Sequence, residues 1–467
     1  MKRFINYTKI AILAITFTGI ISCVDDDDNG NIIDNTPSNS ILDIAISNPD
    51  FSSLLAALQQ TGLDATLAGS GTFTVFAPTN DAFDTFLGGT LLEDIDDDVL
   101  TQLLLNHVIN AEIPSADLIT GYQKNLATEA STNANIDMYI DTSSGVTINN
   151  QSTVTTPDID ADNGIVHIVD TVIELPTLVT LTTINPVLSS LIAALTDEGN
   201  TTFVDLLSDT TSDFTVFAPT NDAFTTFLNG STLDDIDNDV LGQLLSNHVI
   251  PNTVGISTAI GNSYVSTSAI FNGEADAPIS MYLNTDSGLT INGSVNATQT
   301  DIVAVNGVIH IVDAVIELPD VTTFALADPM FSSLVTALTT DASFNFIDAL
   351  QTPNGTMPAP FTVFAPTNDA FTELLADLDL VSLDEVPVST LQTIIELHIV
   401  PGANVRTEDL ADIDGTNVTT LGGTAITIDA ATPALIDPDG ESNGIIVTNA
   451  QATNGVIQTV SRVLRDF

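Results

Sequence analysis

The chain has 467 residues, with 7 Lys or Arg against 61 Asp or Glu, a formal net charge of −54, one Cys and no Trp. Phosphate binding needs clustered Lys and Arg, so nucleic acid is excluded as a natural partner. A single Cys allows no disulfide within the chain, so stability has to come from packing.

At the N-terminus, Lys2, Arg3 and Lys9 flank an apolar run over residues 10–21 that ends at Ser22-Cys23. A positive n-region, a short h-region and small residues at the cut predict a secretory signal over 1–22. The run is shorter than the roughly 20 apolar residues that a spanning helix needs. Cys23 stands where a bacterial lipobox places its cysteine, so the segment resembles a lipoprotein signal, which implies cleavage before Cys23 and a diacylglycerol on its sulfur. Residues 23–40, opening with Asp25 to Asp28, have too little apolar surface to order themselves and read as an acidic, disordered tether. An acidic run behind a lipidated Cys resembles the export tag of lipoproteins displayed outside the outer membrane in some Gram-negative bacteria. The expected location is therefore the bacterial outer membrane, facing the exterior and held by the lipid alone. Asp25, Asp27, Asn29 and Gly30 imitate the start of an EF-hand loop, but the twelfth position is Thr36 in place of a bidentate Glu.

Beyond the tether the chain repeats itself three times. The decamer T-V-F-A-P-T-N-D-A-F occupies residues 74–83, 215–224 and 362–371, so the copies start 141 and 147 residues apart. That interval is domain-sized, and each copy should carry its own core. The boundaries are drawn at 41–177, 178–320 and 321–467. Within a module, Phe51, Leu54, Leu55 and Leu58 form an apolar stripe at helical spacing. Phe73 to Pro78 reads as a strand, and Thr79, Asn80 and Asp81 supply N-cap chemistry for a helix to Leu87. Thr220, Asn221 and Asp222, and Thr367, Asn368 and Asp369, repeat that turn. The acid-rich turns 93–98 and 234–239 read as helix caps rather than calcium sites, because the third module holds Pro387 there. A hydrophobic run then ends in His107, His248 or His398, and alternating strand-like segments follow. Each module closes on N-G-x-x-H-x-V, with His167, His310 and, in the third, Gln458.

Three ordered motifs per copy, the decamer, the His-bearing run and the N-G-x-x-H line, resemble the fasciclin (FAS1) domain across residues 41–467. The resemblance implies an α+β fold, each domain a β-sandwich or wedge of short strands with helices packed around it. It also implies adhesion: multivalent binding of a cell-surface or matrix protein or glycan through tandem modules. The alternatives are an envelope-anchored receptor for a small molecule or polysaccharide, and a structural spacer. Relatives that engage integrins carry a Tyr before the His of the middle motif. Here Asn106, Asn247 and Leu397 hold those positions, so integrin binding is not carried over.

The histidines are the residues that invite an enzymatic reading, since neutral imidazole serves as base or metal ligand. Gln458 replaces one partner in the third module, no H-x-x-x-H spacing occurs, and no nucleophile elbow, P-loop or dinucleotide fingerprint is present. The expectation is five structural histidines, no enzyme activity and no required cofactor, with calcium as the one candidate ion.

Overall fold

A computed structural model describes residues 39–196 and 202–467. The expected signal peptide, Cys23 and most of the expected tether lie outside these residues. Asn39 and Ser40, placed in the tether by composition, belong to the fold. The Ser40 hydroxyl accepts from the Asp43 amide at 3.2 Å and the Asp43 carboxylate accepts from the Ser40 amide at 2.9 Å, a capping box that starts the first helix.

The first module runs α1 (Ile41–Ser47), α2 (Ser52–Thr61), α3 (Asp64–Leu67), β1 (Phe73–Pro78), α4 (Asn80–Leu87), α5 (Asp97–Leu105), β2 (Val108–Ile109), β3 (Gly121–Thr128), β4 (Asn135–Asp141), β5 (Thr147–Ile148), β6 (Ser152–Ala161) and β7 (Gly164–Val169). Its seven strands are ordered β2-β1-β7-β6-β5-β4-β3. β1 and β7 pair in parallel and the other neighbours are antiparallel. The parallel pair is possible because nearly the whole module separates the two strands in sequence, which leaves ample chain for the crossover. β6 shifts register twice, and Asp158 at the irregularity has φ 61°. A strand interrupted in this way bends, and it joins the two halves of the sheet.

β1 is buried along its whole length because it lies between two cores. Phe73, Val75 and Ala77 point to one side, where they meet Phe51, Leu54, Leu58, Phe83, Leu100 and Leu104 of the helices. Phe76 points to the other, where it meets Ile109, Met138, Ile140, Ile148 and Val169 of the strands. The period-2 alternation of one six-residue strand thus feeds a helix-on-sheet core and a sheet-on-sheet core. The closing Asn-Gly supports this arrangement. A Cβ on Gly164, whose φ is 143°, would lie 2.0 Å from the Phe73 carbonyl oxygen, so only glycine permits the approach of β7 to β1. The Asn163 amide donates to the Leu67 and Gly69 carbonyls and its oxygen accepts from the Ile41 amide at 2.9 Å, tying the first helix to the last strand.

The plan recurs with β8 (Phe214–Pro219), β9 (Val249–Pro251), β10 (Ser263–Ile270), β11 (Pro278–Asn284), β12 (Thr290–Ile291), β13 (Val295–Ala304) and β14 (Gly307–Val312) in the second module. In the third the strands are β15 (Phe361–Pro366), β16 (Ile399–Pro401), β17 (Asn417–Thr419), β18 (Ala425–Asp429), β19 (Ala434–Ile436), β20 (Ser442–Ala452) and β21 (Gly455–Val460). Both sheets keep the strand order of the first, and each module has its own pair of cores.

Candidate functional site

The decamer's threonine and asparagine at the strand-to-helix turn are taken up by hydrogen bonds within the module. Thr79, Thr220 and Thr367 cap the helix that follows the first strand, accepting from Ala82, Ala223 and Ala370 at 3.2–3.3 Å. Asn80 accepts from the Ser53 amide and donates to the Pro49 carbonyl, both at 2.9 Å, which pins one helix start to another. Asn221 does the same with Ser190 and Pro186, and Asn368 with Ser333 and Pro329. Asp81, Asp222 and Asp369 stand exposed in the first helical turn, where a negative charge complements the helix dipole.

The first histidine of each module is equally occupied. His107 Nδ1 meets the Leu103 carbonyl at 2.8 Å, and Nε2 accepts from the Ile173 amide at 2.9 Å. His248 bridges Leu244 and Ile316, and His398 bridges Ile394 and Leu464, with the same atoms. The carbonyl requires a proton on Nδ1 and the amide requires a lone pair on Nε2, so the ring is neutral in one fixed tautomer. Burial lowers the pKa of all three from 6.5 to about 4, against a smaller upward effect of the carbonyl bond. The neighbouring Asn106, Asn247 and Leu397 are buried too, and Asn106 donates to the Ile173 carbonyl at 2.9 Å.

The second histidine lies on the sandwich side of its sheet. His167 Nδ1 accepts from the Asp158 amide at 3.1 Å, Nε2 donates to the Ile113 carbonyl at 3.1 Å, and the ring packs on Phe76 with centroids 5.5 Å apart. His310 repeats this with Asp301, Gly255 and Phe217. Burial holds both pKa values below the usual histidine range. Gln458 fills the same place with a different chemistry. Its Oε1 accepts from the Asn449 amide at 3.0 Å and its Nε2 donates to the Val405 carbonyl at 3.1 Å. One acceptor and one donor at fixed positions are what the site demands, and an amide meets that demand as a neutral imidazole does. The two histidines of a module do not hydrogen-bond to each other; each is taken up by backbone groups.

The acidic turns cap helices. Asp96 accepts from the Asp98 and Val99 amides, and Asp237 from Asp239 and Val240, at 3.0–3.4 Å. Among the described residues, no group of three or more His, Cys, Asp or Glu side chains is arranged to hold a metal ion.

What motif reading did not single out is the set of residues at the two module junctions. Tyr122 and Tyr139 face each other across β3 and β4, rings 5.1 Å apart. The Tyr122 hydroxyl donates to the Leu181 carbonyl of the second module at 2.8 Å and accepts from Asn185 at 3.1 Å. Tyr264 and Tyr282 are the matching pair of the second module, 5.0 Å apart, and pack with Val321 and Phe324 of the third. In the third module the cross-strand pair at this place is Asn417 and Thr427.

Beside each pair, a side chain accepts from a backbone amide of the next module. Asp137 takes the Val303 amide at 2.6 Å, and Ser280 takes the Gln451 amide at 2.9 Å. Lys124 joins Asp137 at 2.6 Å and reaches the Asp301 carbonyl of the second module at 2.6 Å. Arg406 of the third module contacts the Asp276 carbonyl of the second and pairs with Glu408 at 3.1 Å. Arg462 and Arg465 pair with Glu373, Glu441 and Asp377 within the third module. All four basic residues among the described residues are thus ion-paired, two of them at junctions. Their rarity was the available signal in the sequence, as was the recurrence of tyrosine at matched strand positions.

The family profile of the fasciclin domain matches residues 49–176, 186–319 and 329–466. The chain is similar to human periostin, 25% identical over 482 aligned residues that take in 99% of this chain and 52% of periostin, so it spans about half the length of that relative. It is 38% identical over 137 residues to protein sll1483 of Synechocystis, covering 29% of this chain and 72% of that protein. Among solved structures, a FAS1 domain pair from the insect cell adhesion molecule fasciclin I aligns with 58% of this chain and 97% of its own at 18% identity, with a TM-score of 0.39.

Proposed function

We propose, from the premise that this chain belongs to the fasciclin domain family, that it is a non-enzymatic, extracellular adhesion protein whose three joined modules bind a cell-surface or matrix protein or glycan together. Adhesion is what the family resemblance implies. The observation that carries the reading is that the motif threonines, asparagines and histidines are taken up by hydrogen bonds within each module. Each candidate threonine, asparagine and histidine is engaged by neighbouring backbone or side-chain groups, and Gln458 replaces a histidine without loss of its hydrogen bonds. What is left for function is surface, presented three times. Repetition raises avidity through effective concentration without any new contact.

Placement at the outer membrane, lipid-anchored through Cys23 and facing outward, is part of the same proposal. It rests on the leader and the acidic run behind it. Labelling with a radioactive fatty acid tests it, with loss of label expected in Cys23→Ser.

The function is tested by binding to immobilised cells and to a panel of matrix proteins and glycans, with calcium and with chelator. The full chain is compared with pieces 39–177, 178–320 and 321–467, each of which carries its own two cores. Saturable binding by the full chain that far exceeds that of any piece is expected. A folded chain that binds nothing on the panel overturns the adhesion reading. The receptor alternative draws on one observation, a cleft at the second junction.

A further inference from the structure

Between the second and third modules lies a cleft of ≈ 670 Å³ lined by Tyr264, Tyr282, Asp286, Asp328, Met330 and Val447, among others. That volume falls in the range of sites for small ligands, and such sites favour domain interfaces. Its lining combines two phenol rings, two carboxylates and the apolar surfaces of Met330 and Val447. Asp328 is buried, with 6% of its surface exposed, and its carboxylate accepts from the Tyr264 hydroxyl at 3.1 Å and from the Met330 amide at 2.9 Å. Asp286 accepts from the Asn262 amide group at 3.0 Å. All four basic residues of the described chain are paired with other acids, so neither carboxylate is neutralised by Lys or Arg.

The first junction provides an internal control. The residues in the corresponding places are Asn185, which starts the matching Pro-led turn and bonds to Tyr122, and Ser143, which makes the same isolated bridge as Asp286. The tyrosine pair is common to both junctions, whereas carboxylates at these two places occur at the second alone; the first has Asp141 beside Tyr139, where the second has Asn284. Asp286 and Asp328 are therefore not needed to join one module to the next.

We propose that this cleft binds an organic cation, a guanidinium or ammonium head on a short apolar stem. The carboxylates supply charge-assisted hydrogen bonds, and aromatic rings attract a cation through their quadrupole. The apolar walls accommodate the stem and make the site a poor match for a hard inorganic ion, which demands oxygen ligands on all sides. The strongly acidic surface raises the local concentration of any cation near the entrance. This inference stands on the junction and not on the adhesion reading, so either can fail alone.

The test is isothermal titration calorimetry of the full chain at low and at physiological salt. The probes are ethylguanidinium, a capped Gly-Gly-Arg-Gly-Gly peptide and its citrulline counterpart. One saturable site per chain is expected for the two cationic probes and none for citrulline. Transplanting the first junction's residues as Asp328→Asn with Asp286→Ser should weaken binding at least tenfold. Those residues already serve at the first junction, so the variant is expected to fold, and an unchanged melting temperature checks this. Tighter binding of the peptide than of ethylguanidinium assigns the cation to a partner's arginine side chain, and equal binding assigns it to a free small molecule. Absence of saturable binding, binding of citrulline as well, or many weak sites untouched by the double substitution would overturn the proposal.

Discussion

Replacing His167 separates two accounts of the repeated histidines with one pair of variants. In His167→Gln the side chain can repeat what Gln458 does in the third module, accepting from the Asp158 amide and donating to the Ile113 carbonyl. The expected loss of stability is about 1 kcal/mol or less, since both bonds survive and the volume changes little. In His167→Ala both half-buried backbone groups lose their partner, at no more than about 1–3 kcal/mol each. Loss of packing on Phe76 adds to that, so the total should exceed about 2 kcal/mol. Guanidinium unfolding followed by circular dichroism gives the energies, and hydrogen exchange at the Asp158 amide gives the site. Protection of that amide should persist in the Gln variant and collapse in the Ala variant. If the Gln variant loses as much stability as Ala, or if binding to cells falls in step with the imidazole while stability does not, the structural account is refuted and a chemical role is restored.

The remaining predictions follow from the same structure. His107, His248 and His398 have folded pKa values of about 4 against 6.5 unfolded, so the unfolded chain binds more protons between these values. Their contribution is fully present above pH 6.5 and is lost as pH falls toward 4, with about 2 kcal/mol per module gone by about pH 5. Imidazole proton resonances titrating near 6.5 in the folded protein would contradict this. At the first junction, Lys124→Met leaves the Asp137 carboxylate, which burial already pushes up in pKa, without its cation. A cost of about 1–2 kcal/mol and a larger radius of gyration in small-angle scattering are expected, and adding Asp137→Ser should restore the compact form, since Ser280 serves at the second junction. Gly164→Ala forces a Cβ to within 2.0 Å of a carbonyl oxygen and should cost more than about 3 kcal/mol, read as loss of folded protein on expression.

Much of the module was legible because its signals are local. Thr79 and Asp96 are capping residues whose effect reaches two or three positions along the chain, and the alternation of Phe73 to Ala77 reports its two cores directly. The histidines could be read as structural from the Gln458 replacement, but their partners could not, because Ile173 and Ile113 contribute backbone groups that carry no side-chain signature. The junctions were hidden for a related reason. Asp137 meets Val303 across 166 positions, and one acid among the chain's 61 does not stand out. Composition also drew the tether two residues too far, because Asn39 and Ser40 are polar and their fixing contact, Asn39 to Asp162 at 2.8 Å, lies 123 residues away.

The tyrosine pairs give the molecule an optical property of its own. The chain has no Trp, and its four described tyrosines all stand at the two junctions. Near-ultraviolet emission from the modules is therefore a signal from the seams between them, silent about the rest of each core. Burial raises the pKa of all four phenols and most strongly those of Tyr122 and Tyr264, so in mild alkali the tyrosinate absorbance of these two should rise only as a seam parts. A stopped-flow pH jump would then time the opening of the joints in an unlabelled protein.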